Sequence, residues 1–258
     1  MGVGHDDSDV WIYDIESGAL RRLTFGGSDG FPVWAPDGRQ LVFQSFRDGV
    51  ATVYWKPSDG SGPAERLAVA ETFHMPHSFT PDGDNLALVQ VHPETATDLS
   101  WLDMTEREEH EYLRTDTNEN SPMFSPDGRF LAYRSSESGR VEIYVQPFPT
   151  TGAQWQVSTD GGSEVVWARD GRELFYRNGT KFMAVDVSLD PVFSAGKPRI
   201  LFEAEYERTV PDRANYDVDH DGERFLVVKA VGDVQTSREI VITLNWAETL
   251  KTTLPNPR

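Results

Sequence analysis

Two histidines stand close together as His74-x-x-His77, and His92 follows within one short stretch of chain. Imidazole nitrogens ligate divalent transition metals well. The three side chains are therefore a candidate metal set, although the spacing alone fixes no third ligand beside the first two. Read plainly, they are polar loop residues. Asp217-x-Asp219-x-Asp221-Gly222 copies the opening of a calcium loop. Its twelfth position is Val228 rather than Glu, and the same segment reads equally well as a hairpin. Nucleophilic chemistry has less material. The chain has no Cys and no Gly-x-Ser-x-Gly elbow. Its 42 Asp and Glu residues make accidental carboxylate neighbours inevitable, so no acid–base pair can be assigned.

The elements that must position these groups are written in a repeat. Trp34-Ala35-Pro36-Asp37-Gly38-Arg39 recurs as Phe79-Thr80-Pro81-Asp82-Gly83-Asp84 and as Phe124-Ser125-Pro126-Asp127-Gly128-Arg129. Weaker copies surround Asp170-Gly171 and Asp221-Gly222, so the spacings are 45, 45, 43 and 51 residues. Pro presets φ, Asp bonds the backbone ahead and Gly accepts positive φ, which is turn chemistry. After each turn comes an apolar, β-rich run such as Leu41-Val42-Phe43 or Leu174-Phe175-Tyr176. Third strands are predicted at Val53–Trp55, Leu99–Leu102, Val141–Val145 and Phe182–Val185. Fourth strands are predicted at Glu65–Leu67, Glu111–Leu113, Trp155–Val157 and Ile200–Phe202. Helical periodicity is confined to a short stretch at 246–251.

Four antiparallel strands repeated about every 45 residues specify an all-β fold, a β-propeller of four-stranded blades. A single propeller domain over 1–258 is expected, with blades at 31–68, 77–113, 122–158, 165–202 and 215–244 and a tail at 245–258. Residues 9–24 supply a third and fourth strand only, an N-terminal half-blade. The expectation is therefore five full or nearly full blades plus that half. A six-bladed parent and a missing upstream portion follow from it, or pairing of the half-blade between two copies of the chain.

The net charge is −18, with 24 Lys and Arg against 42 Asp and Glu. Phosphate backbones and anionic membranes repel such a chain unless a basic patch is concentrated somewhere, and Arg21-Arg22 and Lys197-Pro198-Arg199 are too short. Nucleic acid is not an expected partner. No apolar run approaches the ~20 residues of a membrane span, so membrane insertion by this chain is not expected either. The acidic excess reads as a solvated surface.

The hairpin Trp/Phe-x-Pro-Asp-Gly-Arg-x-Leu, with Ile-Tyr-type third strands, resembles the PD40 repeats of TolB-like propellers. The second half resembles more narrowly the C-terminal propeller of bacterial Ser/Thr protein kinases and its stand-alone relatives. The residues that carry this are Ser135-Ser136-Glu137-Ser138-Gly139-Arg140, Tyr144-Val145-Gln146-Pro147-Phe148-Pro149, Gly171-Arg172-Glu173-Leu174-Phe175-Tyr176-Arg177 and Leu244-Asn245-Trp246. The resemblance covers about Asp9 to Pro255. It implies a binding or sensing module, a protein partner and an extracytoplasmic, periplasmic location. No kinase motif is present, so kinase activity is not implied.

In such blades the loops from strand four to the next strand one share an end with the two–three loops, opposite the Pro-Asp-Gly turns. Ligands are expected at that end, over the mouth of the central channel. The candidate binding residues there are Asp29, Phe31, His74, His77, Glu119, Asn120, Ser163, Glu164, Arg213 and Asn215, with Arg47, His92, Glu137 and Lys229 from the two–three loops. Strand alternation turns His77 to the channel. The reading favoured by the sequence is a non-catalytic scaffold for a protein or small ligand, needing no cofactor. The alternative is a metal-assisted carbohydrate lyase or hydrolase. It resembles the propeller lyases that act on uronic acids, and His74, His77 and His92 would hold a divalent metal.

Overall fold

The computed structural model describes residues 8–67, 72–206, 213–219 and 222–227. The end of the expected last blade beyond residue 227, with Lys229, and also Asp221 and the 246–251 segment lie outside these. The chain divides into two compact units, Met1–Phe124 and Ser125–Arg258.

In the first unit, β1 (Trp11–Tyr13) and β2 (Leu20–Arg22) form a two-stranded hairpin. β3 (Asp29–Trp34), β4 (Gln40–Ser45), β5 (Thr52–Pro57) and β6 (Glu65–Arg66) make a four-stranded antiparallel sheet in chain order. β7 (His74–Phe79), β8 (Asn85–His92), β9 (Ala96–Asp103) and β10 (Glu109–Leu113) make a second. β11 (Glu119–Phe124) lies against β7, tied by Ser78. The Ser78 hydroxyl donates to the Pro122 carbonyl at 3.1 Å and accepts the Phe124 N–H at 3.0 Å.

The apolar run in β4 is continuous because the sheet is covered on both faces. Leu41 and Phe43 pack with Val10, Leu23 and Tyr54 toward the half-blade. Val42, on the opposite face by strand alternation, packs with Val53, Leu67, Leu86, Leu88 and Leu102 toward the second sheet.

In the second unit, β12 (Phe130–Ser135), β13 (Glu142–Pro147) and β14 (Trp155–Gln156) are consecutive antiparallel neighbours. β15 (Ser163–Trp167), β16 (Glu173–Asn178) and β17 (Lys181–Ser188) follow. β17 is long enough to take two partners: its start pairs with β19 (Arg199–Glu203) and its end with β18 (Ser194–Ala195). β18 has no counterpart in the sequence reading. β20 (Tyr216–Val218) and β21 (Phe225–Val227) form a last hairpin. Aromatic rings fill the spaces between sheets: Phe193 touches Phe130, Trp155 and Trp167. Among the described residues there is no helix, hence none long and apolar enough to cross a membrane.

The turns close as their residue types dictate. Asp37, Asp82, Asp127 and Asp170 each accept, through Oδ1, the main-chain N–H two residues ahead at 2.9–3.1 Å. The glycine after each aspartate has φ between 69° and 82°. Inner strands differ from regular ladders: β3, β7 and β15 each carry one extra residue against their partner, a β-bulge. Phe31, Ser121 and Glu164 hold positive φ of 53°, 55° and 57° at repeat-equivalent positions.

Two of the turn carboxylates give the fold an acid limit. The Thr80 hydroxyl and the Asp84 amide hold Asp82 below the usual carboxylate range. Burial pushes Asp127 up, but hydrogen bonds from Ser125 and Arg129 outweigh it and the group is also lowered. A carboxyl depressed in the folded state contributes stability above its unfolded pKa of about 3.9, and loses it as pH falls through the lower folded value. The melting temperature is expected to be insensitive to these groups above about pH 5 and to drop below about pH 4. Asp82→Asn combined with Asp127→Asn should shallow that drop. An identical acid slope in the double variant would show that the turns do not set it.

Candidate functional site

Asp29, His74 and Glu119 each stand eight residues before the aspartate of their own turn, at the head of β3, β7 and β11. All three are buried, so their polar atoms must find partners inside the protein. Asp29 receives Arg47 Nη2 on both oxygens, at 2.9 and 3.1 Å. Arg47 Nε donates to Ser45 Oγ at 2.8 Å, and its guanidinium lies over the Tyr54 ring at 4.7 Å. Glu119 Oε1 accepts the hydroxyls of Thr115 at 2.8 Å and Thr117 at 2.5 Å.

His74 Nδ1 lies 2.7 Å from the Thr72 carbonyl and Nε2 lies 3.0 Å from Glu109 Oε1. Both ring nitrogens are thus engaged by oxygen atoms of the protein. The Ser100 hydroxyl donates to the same Glu109 oxygen at 2.7 Å. Burial pushes Glu109 up, but the hydrogen bond and charge of His74, with Ser100, hold it below its ordinary value. This leaves no nitrogen of His74 open to a metal. At His92 the Arg114 Nη2 stands 2.7 Å from Nε2 and 3.0 Å from Nδ1, so a cation already occupies that ring. His77 is the extra residue of the β7 bulge and half-buried, so alternation cannot be carried through it. The three histidines are not brought together: among the described residues no three His, Asp or Glu side chains gather in ligating geometry.

Asn120 is buried and its Oδ1 accepts the Ser121 N–H at 2.7 Å; Phe31 is half-buried. Asp219 of the calcium-like segment pairs with Arg224, while Asp217 Oδ1 accepts the Val218 N–H at 2.8 Å.

The second unit holds a different arrangement. Glu164 is fully buried, 3.6 Å from Nη1 of the equally buried Arg177. Its Oε2 also accepts the Asn215 N–H at 3.2 Å, and the Tyr216 hydroxyl donates to its carbonyl at 2.7 Å. Desolvation brings the half-buried Arg213 down to about 10, which keeps it cationic at neutral pH. Burial first, then the charge of Glu164, pushes Tyr216 well above its ordinary value. Next to this cluster opens a cavity of about 330 Å³. It is lined by Arg134, Arg140, Arg177, Ser163 and Asn178, with Val141 and the glycines 161, 162 and 179.

The cavity sits where a four–one loop (157–162) meets two two–three loops (136–141 and 179–180), the end at which ligands are expected. Of the candidate residues, Ser163 lines it and Glu164 and Asn215 meet behind it. Glu137 is committed to Gln154 Nε2 at 2.7 Å. Sequence reasoning missed Arg134 and Arg177. Their signal was available: each stands seven residues after the turn aspartate and directly after a tyrosine, a cation in an otherwise apolar second strand.

No family model matches the chain. It is 31% identical over 143 residues to an uncharacterized protein of Agrobacterium fabrum, covering 51% of this chain and 48% of that one. The chain thus spans about half the length of that curated relative. Among solved structures, TolB from Acinetobacter baumannii aligns with a TM-score of 0.67 at 17% identity, over 86% of this chain and 54% of its own. An oligogalacturonate lyase in complex with manganese aligns with a TM-score of 0.64 at 13% identity, over 88% and 65%. At such identities the likeness speaks for the fold alone: the chain is an all-β β-propeller of four-stranded antiparallel blades, the fold it shares with these structures. Its structural neighbours include an enzyme, and one fold serves both binding and catalysis.

Proposed function

We propose that the chain is a non-catalytic TolB-like propeller, a binding or sensing module that recognises a protein or small ligand with the loops between strands two and three and between blades. One observation carries this reading. The titratable groups at the heads of the inner strands are spent on internal partners: Asp29 on Arg47, His74 on Thr72 and Glu109, Glu164 on Arg177. Groups tied in this way fix loop geometry, which is what recognition by a pre-formed surface needs. The Tyr144–Pro149 and Gly171–Arg177 segments support kinship with kinase-linked propellers, and with it an extracytoplasmic setting.

The test is turnover. Oligogalacturonate and a chromogenic prolyl peptide, incubated with the purified chain with and without manganese, are expected to stay intact. Product formation that rises with added manganese would overturn the non-catalytic reading.

A further inference from the structure

Arg177 is the buried cation whose internal partners do not account for it. Its side chain is 2% exposed and carries five N–H donors. Glu164 stands 3.6 Å from Nη1, beyond hydrogen-bond length. Nη2 reaches the Gly179 carbonyl at a long 3.3 Å, and Nε is buried without an acceptor. The Phe182 ring below the guanidinium, 5.0 Å away, attracts the charge but accepts no conventional hydrogen bond. Arg140, on the same cavity, is the contrast: Glu142, Asp160 and the Thr159 carbonyl take its donors. Buried donors left this far from satisfied point to an acceptor that arrives from outside.

The cavity beside Arg177 has the size of a small-ligand pocket. Among the described residues, three arginines and no carboxylate line it, in a chain of net charge −18. Its loop is held in place. A Cβ on Gly162 would come within 2.6 Å of Ser158 Oγ and 2.8 Å of Ile143, so the backbone there is pressed against the neighbouring strand. The Gly161 amide already donates to Glu142, and the Gly162 amide to the Val141 carbonyl at 3.0 Å. The glycine loop therefore offers no nest of open amides for the several oxygens of a phosphate. What it leaves is one guanidinium fork, which matches a planar, two-oxygen anion.

We propose that this cavity binds a small organic acid, its carboxylate held by the Arg177 fork and flanked by Arg134 and Arg140. The site rests on the binding role proposed above and names the ligand class for it.

Acetate and succinate are the probes, titrated into the full chain by calorimetry, with acetamide and inorganic phosphate as comparisons. Saturable binding of the carboxylates is expected, none of acetamide, and weaker binding of phosphate. Arg177→Lys removes the fork and should weaken binding about tenfold. Val141→Glu changes a half-exposed lining residue, 36% accessible, and keeps the test valid should Arg177→Lys unfold. It places a like charge at the cavity and should also weaken binding about tenfold. No saturable carboxylate binding, or unchanged affinity in folded Val141→Glu, overturns the site. Phosphate binding tighter than carboxylate overturns the ligand class. If carboxylates fail while a defined protein partner still binds, the site falls and the binding role stands. Carboxylates that bind and are chemically altered leave the site in place and overturn the non-catalytic role.

Discussion

Glu164→Gln is expected to lower the free energy of unfolding by about 3 kcal/mol, the scale for breaking a fully buried ion pair by removing one charge. The substitution keeps the shape, and the amide oxygen can still accept the Asn215 N–H seen at 3.2 Å. What changes is charge. Arg177 is buried with Glu164 as its counter-ion, and the variant leaves a guanidinium without compensation in a low-dielectric setting. The measurement is urea denaturation, where the midpoint should fall with the slope unchanged. A loss below about 1 kcal/mol would mean that the pair is already screened, and the account of Arg177 as a desolvated cation would fail.

Phe182→Ala should cost a comparable or larger amount, about 3–5 kcal/mol. The ring is 1% exposed and stacks on Phe202 with centroids 4.4 Å apart. Tyr216, Tyr206 and Phe225 meet it edge-on at 5.2, 5.8 and 6.2 Å. Its removal opens a cavity among rigid aromatic side chains that cannot collapse into it, and it takes away the face on which Arg177 rests. Loss of near-ultraviolet dichroism should accompany a lowered melting temperature. Phe182→Leu should recover most of the difference. A mild effect of the alanine variant would show that this aromatic cluster is loosely packed.

Much of the fold was legible because its signals are local. The turns are set by adjacent residue types, Pro-Asp-Gly at 36–38, 81–83 and 126–128 and Asp-Gly alone at 170–171, and Asp37, Asp82, Asp127 and Asp170 each bond two residues ahead. The second strands stand out as apolar runs because both faces of the sheets are covered. The bulges were not legible, since one extra residue leaves an apolar pattern almost unchanged while reversing every face beyond it. That is why the orientation of His77 could not be read from alternation. β18 was invisible for a related reason: Ser194–Ala195 pairs only because β17 runs on past its main partner. The site was harder still. His74 was found by type and spacing, yet its chemistry is decided by Glu109, 35 residues away in another strand. Arg177 was hidden within a segment already read for the resemblance, and Arg134 stood just ahead of another.

The left-handed backbone at 31, 121 and 164 has a consequence for anyone diversifying this chain. Glycine adopts such angles freely, whereas other residues do so at a cost of about 1–2 kcal/mol. A library at Phe31 and Ser121 should thus find glycine among its stabilising members. Glu164 shares the angle, but its carboxylate faces Arg177 and the Asn215 amide, and no smaller residue reaches both. Combinatorial loop design should therefore randomise the first two positions and keep the glutamate fixed.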